Sequence, residues 1–129
     1  MQALQGSHPH HEGIVQEVLA SPALANRPEI EAALWLYVDD LSRSHTVSQG
    51  IDTPTGSYWH AIMHRREGDF DNSRYWLRRA AGHPLLAQSQ TSQELIRLVE
   101  LAGGDRSELV KMQQEEWQAL FQWCVQNCR

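Results

Sequence analysis

Tyr58-Trp59-His60-Ala61-Ile62-Met63-His64-Arg65-Arg66-Glu67-Gly68-Asp69-Phe70-Asp71-Asn72-Ser73-Arg74-Tyr75-Trp76-Leu77-Arg78-Arg79-Ala80 reads as two helices joined by a tight turn. The first runs from Tyr58 to Glu67 and stops at Gly68, a natural residue for the left-handed position that follows a helix. Asp69 or Asp71 then caps a second helix, which reaches about Ala81 and is closed by Gly82 and Pro84. The product is an αα-hairpin. On its first helix His60, His64 and Glu67 share a face at i, i+4 and i+7, with Trp59, Ile62, Met63 and Arg66 on the adjoining face. On the second, Ser73, Trp76, Leu77 and Ala80 form the apolar stripe, while Arg74 and Arg78, and Tyr75 and Arg79, stack at i, i+4. Closing the hairpin brings the arginine pairs and the histidines into one neighbourhood.

Outward from the hairpin the helical pattern continues. Residues 1–12 are polar and include His8-Pro9-His10-His11; they are expected to be a flexible arm. Ile14, Val15, Val18 and Leu19 fit a short helix ended by Ser21-Pro22. Asn26-Arg27-Pro28-Glu29 reads as a helix start with an Asn cap, followed by Ile30, Leu34, Tyr37, Val38 and Leu41 at helical spacing. The segment from Ser42 to Thr55 is polar, carries Gly50 and Pro54, and is read as a loop or frayed end. After the hairpin, Leu85 and Leu86 pack back onto it. Thr91-Ser92-Gln93-Glu94 has the form of a capping box ahead of Leu95, Ile96, Leu98, Val99 and Leu101, and Gly103-Gly104 ends that helix. Asp105 to Glu108 starts a last helix with the stripe Leu109, Met112, Trp117, Leu120, Phe121 and Cys124. No strand alternation stands out. The expectation is an all-α fold, a compact bundle of about six helices around the central hairpin, with residues 13–129 forming a single helical domain.

A chain of 129 residues suits one domain. Its net charge of -5 argues against nucleic acid as a partner. Ten of the eleven basic residues are arginine, and they are unevenly placed. Residues 1–58 carry two arginines against seven acids, whereas residues 59–83 carry five arginines against three acids, together with His60, His64 and His83. No basic and apolar leader and no membrane-length apolar run is visible, so no membrane partner is expected. Cys124 and Cys128, four apart on a helix, suit reduced core thiols better than a disulfide, which points to the cytoplasm.

Three functional readings follow from the central block. Arginine presents bidentate donors and keeps its charge, so Arg65, Arg66, Arg78 and Arg79 beside His60 and His64 suit a small anionic ligand or an acidic peptide, with Glu67 and Asp69 at the same site. His60 and His64 have the H-x-x-x-H spacing that brings two imidazoles to one metal, and a transition metal is the cofactor this spacing allows. The third ligand would come from Glu67, Asp69 or elsewhere. A small enzyme would use His60 or His64 with Glu67 or Asp69 as an acid-base couple. Against these stands a structural reading, in which the arginines pair with nearby acids and lock the hairpin. A second aromatic face on the last helix, with Trp117, Phe121 and Trp123, would make the chain an oligomerising module. Phosphate-cradling loops, a nucleophile elbow, an EF-hand and C-x-x-C motifs are all missing.

Ala61, Gly68, Asp69-Phe70, Ser73, Leu77, Ala80 and Pro84 fall near the small crossing residues, the Gly-Asp/aromatic turn and the closing proline of another family. On these residues the hairpin resembles a single tetratricopeptide-type repeat, although His64 stands where that family has an aromatic. A second glycine-Asp turn, Gly104-Asp105, follows at close to the ~34-residue period, but its helix lacks the pattern. The longer signature Trp59-His60-x-x-x-His64-Arg65-Arg66-Glu67-Gly68-Asp69-x-x-Asn72-x-x-Tyr75-Trp76-x-x-Arg79 is similar to a stretch from a family of uncharacterised bacterial and fungal proteins. That likeness implies a cytoplasmic single-domain protein and carries no chemistry.

Overall fold

The computed structural model describes residues 13, 16–18, 20–21, 26–102 and 107–128. The expected arm over 1–12, most of the first short helix, and the Gly103-Gly104 and Asp105 signals lie outside these residues; residues 16–18 are helical. The fold is all-α: among the described residues every regular element is a helix, α1 (Pro28–Tyr37), α2 (Leu41–Ser48), α3 (Pro54–Glu67), α4 (Phe70–Arg79), α5 (Pro84–Gln88), α6 (Thr91–Ala102) and α7 (Ser107–Asn127). Among the described residues no helix is long and apolar enough to cross a membrane.

Two helical hairpins, α1–α2 and α3–α4, are built on the same plan. Gly68 takes the left-handed conformation at the α3–α4 turn (φ 85°), and Asp39 takes it at the α1–α2 turn (φ 63°). The next residue, Asp69 or Asp40, caps the second helix by accepting from the backbone N–H three residues on, Asn72 or Arg43. Each second helix then sends a buried serine hydroxyl to a carbonyl of the first: Ser73 to Ala61 at 2.7 Å and Ser44 to Ala32 at 2.9 Å. Alanine at each crossing point lets the backbones approach this closely.

α2 occupies part of the segment read as a loop or frayed helix end. A polar segment forms a helix here because Asp40 caps its first turn and the buried Ser44 hydroxyl bonds inward to the Ala32 carbonyl, while Ser42, Arg43 and Thr46 face solvent. α3 likewise starts at Pro54, with Thr53 as its cap. Pro54 opens a helix here because the first helical position needs no N–H.

Two other expected caps are corrected. Asn26 adopts a positive φ, and the residue flanking α1 is Arg27, whose side chain makes no cap to its own helix. The Arg27 guanidinium donates instead to the carbonyls of Cys128 (2.7 Å), Cys124 (2.8 Å) and Val125 (2.8 Å), supplying partners for the orphan end of α7 and tying α1 to it. The Thr91 capping box does not form. Thr91 N–H bonds to Ser89 Oγ, Glu94 pairs with Arg97, and Ser92 turns inward.

A main core joins these elements, with a smaller cluster of Trp35 and Val38 beside it. Ile30, Leu36, Trp59, Ile62, Met63, Leu77, Leu120 and Cys124 are buried in the main core, and α7 crosses both hairpins with Trp117 bonded to the Ala33 carbonyl at 2.9 Å. The aromatics of α7 are half-buried against this core, and Trp117 stacks on Phe121 (4.8 Å) and meets the exposed Tyr37 (4.9 Å). Cys124 and Cys128 are both buried and free, with burial raising both thiols.

Candidate functional site: a three-histidine cluster

α3 is buried on nearly every side, so each of its faces meets a different element. Its His60 and His64, one turn apart, face α2, which contributes His45. One ring nitrogen from each of His45, His60 and His64 lies within 4.8 Å of the other two. The ring centroids are separated by 4.8 Å for His60 and His64, 4.8 Å for His45 and His60, and 5.4 Å for His45 and His64. His60 lies stacked flat on Trp76 of α4, 3.9 Å away with 11° between planes. Trp76 in turn carries the Arg79 guanidinium 5.2 Å from its ring centre.

The polar accounting of this cluster is uneven. His64 Nδ1 is 2.6 Å from Glu67 Oε1 and 4.0 Å from Asp69 Oδ2, so its orientation is held by a carboxylate. His60 is 2% exposed, and neither of its ring nitrogens has a hydrogen-bond partner among the described residues. Leaving a buried polar atom unpaired costs about 1–3 kcal/mol, so two on one ring call for an explanation. Burial, and then the nearby His64 and His45, lower the His60 pKa to about 3, keeping the ring neutral with a lone pair free. Asp69 is held below the usual carboxylate range by its bonds to Asn72.

The sequence-derived site residues separate into groups. His60, His64, Glu67 and Asp69 come together, as the hairpin pattern implied. Arg65 and Arg66 do not join them, because both guanidinium groups are buried in ion pairs elsewhere. Arg65 binds Glu116 of α7 with two bonds, the shorter 2.6 Å, and Arg66 pairs with Asp39 in the α1–α2 turn. The counter-ions of the buried arginines are therefore distant acids, not Glu67, Asp69 or Asp71. Arg78 and Arg79 are exposed on α4, with Arg79 against Tyr75 and Trp76. His45 escaped the sequence reading because it sits in the stretch taken for a loop or frayed helix end. The Asp40 cap ahead of it was the signal that would have placed it on a helix.

Three imidazoles suit zinc, cobalt, nickel or copper, and a carboxylate on the far nitrogen of a ligating histidine is the usual supporting partner. Ligands of one tetrahedral ion at about 2.0–2.1 Å lie about 3.3 Å apart. Compared with known proteins, the chain matches no family model, no curated protein and no solved structure.

Proposed function

We propose that this protein binds a divalent transition-metal ion through His45, His60 and His64, with Glu67 orienting His64. The observation that carries this reading is the pair of unpartnered nitrogens on buried His60, in a cluster of three imidazoles that each bring one nitrogen within 4.8 Å of the others. A metal accepts the lone pair that the protein leaves unused. Because Glu67 engages Nδ1 of His64, Nε2 is the atom available for coordination. An ion held by three histidines keeps at least one coordination position for water or a substrate atom, which is the arrangement that hydrolytic and hydrating metal enzymes use. The alternative of an anion or acidic-peptide site rests on Arg78 and Arg79 alone, since Arg65 and Arg66 are engaged by carboxylates.

The test is metal stoichiometry by elemental analysis and Co²⁺ titration, in a chain whose His8, His10 and His11 are replaced by glutamine to remove the polar histidine run. One ion per chain is expected, with d–d absorption of four- or five-coordinate Co²⁺. His60→Ala and His45→Ala should each abolish it. Substoichiometric binding, or binding indifferent to both substitutions, would refute the proposal.

A further inference from the structure

The opposite side of α3 carries a second constellation with its own cavity. Tyr58 Oη lies 2.5 Å from Ser92 Oγ, and Ser92 donates to Glu116 Oε2 at 2.5 Å. Glu116 also receives the two Arg65 bonds already described, of 2.6 and 3.2 Å. All four side chains are buried, with exposures from 2% to 8%. Tyr58, Ser92 and Glu116 form the floor of a cavity of about 350 Å³, walled by Leu85, Met112 and Ala119 and edged by the exposed Glu115. That volume lies in the ordinary range of small-molecule sites.

Proton counting decides what such a floor accepts. A serine hydroxyl has one proton, and Ser92 gives it to Glu116; Tyr58 must then donate to Ser92. Every proton of the chain therefore points toward Glu116, as do those of Arg65. What the three floor groups retain is lone pairs: on the tyrosine oxygen, on the serine oxygen, and the remaining site on the carboxylate. An incoming carboxylate or phosphate would meet acceptors with acceptors. An incoming N–H donor would be satisfied on several sides, and Glu115 adds negative charge at the mouth. The apolar walls meanwhile call for hydrocarbon behind the donor.

We propose that this cavity binds a small primary ammonium ion carrying an apolar group, its NH₃⁺ seated on Tyr58, Ser92 and Glu116 and its hydrocarbon against Leu85, Met112 and Ala119. The binding is independent of the histidine cluster. Phenethylammonium, 2-phenylethanol and phenylacetate serve as probes of equal bulk and different head groups, titrated against the Met112 methyl resonance, which Met112→Leu assigns. The ammonium should bind with millimolar or better affinity and the carboxylate at least tenfold more weakly, with the alcohol between. Ala119→Trp, at an exposed position on the cavity wall, should abolish binding without disturbing the fold. Tyr58→Phe should weaken it about tenfold. Equal binding of the three probes, no binding of the ammonium at 10 mM, or ammonium binding unchanged in Ala119→Trp would each overturn the proposal.

Discussion

Replacing Glu116 by glutamine removes a charge at almost constant volume, and so isolates what buried Arg65 needs from its counter-ion. Arg65 is 2% exposed and the other side-chain acceptor beside it, Gln113 Oε1, is 3.4 Å away, so the guanidinium depends on Glu116 for its charge compensation. Removing one partner of a buried pair typically costs 3–5 kcal/mol, mostly as the penalty of an uncompensated charge. Unfolding entropy of about 2.1 cal/mol/K per residue gives roughly 0.27 kcal/mol/K for this chain, so the expected fall in Tm is about 11–18 °C. The assay is thermal and urea unfolding of the wild type, Glu116→Gln, Arg65→Met and the Arg65→Met/Glu116→Gln double variant. Once the arginine is gone the glutamine is nearly harmless, so the cycle should show a coupling above about 2 kcal/mol. A loss below about 1 kcal/mol for Glu116→Gln, with no coupling, would mean that Arg65 does not depend on Glu116 as its counter-ion.

Other expectations are narrower. Gly68 holds φ 85° and an added Cβ would touch nothing, so Gly68→Ala should cost only its backbone strain, about 1–2 kcal/mol by urea unfolding. Gly56 differs: its Cβ would sit 2.7 Å from the Ile51 carbonyl oxygen and 2.5 Å from the Ile51 side chain, so Gly56→Ala should shift the backbone and cost more than Gly68→Ala in the same assay. Burial lowers His83 to about 4, so the unfolded chain binds a proton there that the folded chain refuses below pH 6.5. Stability should therefore fall by up to about 1.4 kcal/mol per pH unit as pH drops from 6.5 toward 4, and His83→Gln should remove that part of the slope. With metal at the histidine cluster, Zn²⁺ at 100 times its Kd should raise unfolding free energy by about 2.7 kcal/mol, a gain that His60→Ala eliminates.

The α3–α4 hairpin was readable because its punctuation is local. A glycine at the left-handed turn and an aspartate cap one residue later are set by backbone sterics and orphan N–H groups, and both depend only on neighbours in sequence. The partners of Arg65 and Arg66 were not readable. Glu67, Asp69 and Asp71 lie close in sequence, but adjacent helical residues point to different faces, and Arg65 meets a carboxylate 51 residues away. α2 was lost for a related reason: the hydrophobic pattern that marks most helices is reduced here to Leu41 and Val47, and the helix is held by Asp40 and Ser44.

The repeated hairpin explains why the candidate site was only half visible. In both hairpins the alanine, the positive-φ turn residue, the capping aspartate and the buried serine fall in the same order, so the repeated positions serve the hairpin itself. The histidines occupy positions outside that set. His45 lies on the second helix of the first hairpin, and His60 and His64 lie on the first helix of the next. The cluster is thus made by stacking one hairpin on the other, as is the Arg66–Asp39 pair that fastens the α1–α2 turn to α3. Residues that hold a hairpin closed must recur with it, whereas residues that meet across the junction are free to differ. An ion seated there would bridge α2 and α3 and draw on the same contact surface that Arg66 and Asp39 already secure. A metal at this junction would therefore stabilise the packing of the two hairpins more than either hairpin alone, and the greatest gain in amide-exchange protection on Zn²⁺ addition is expected in α2.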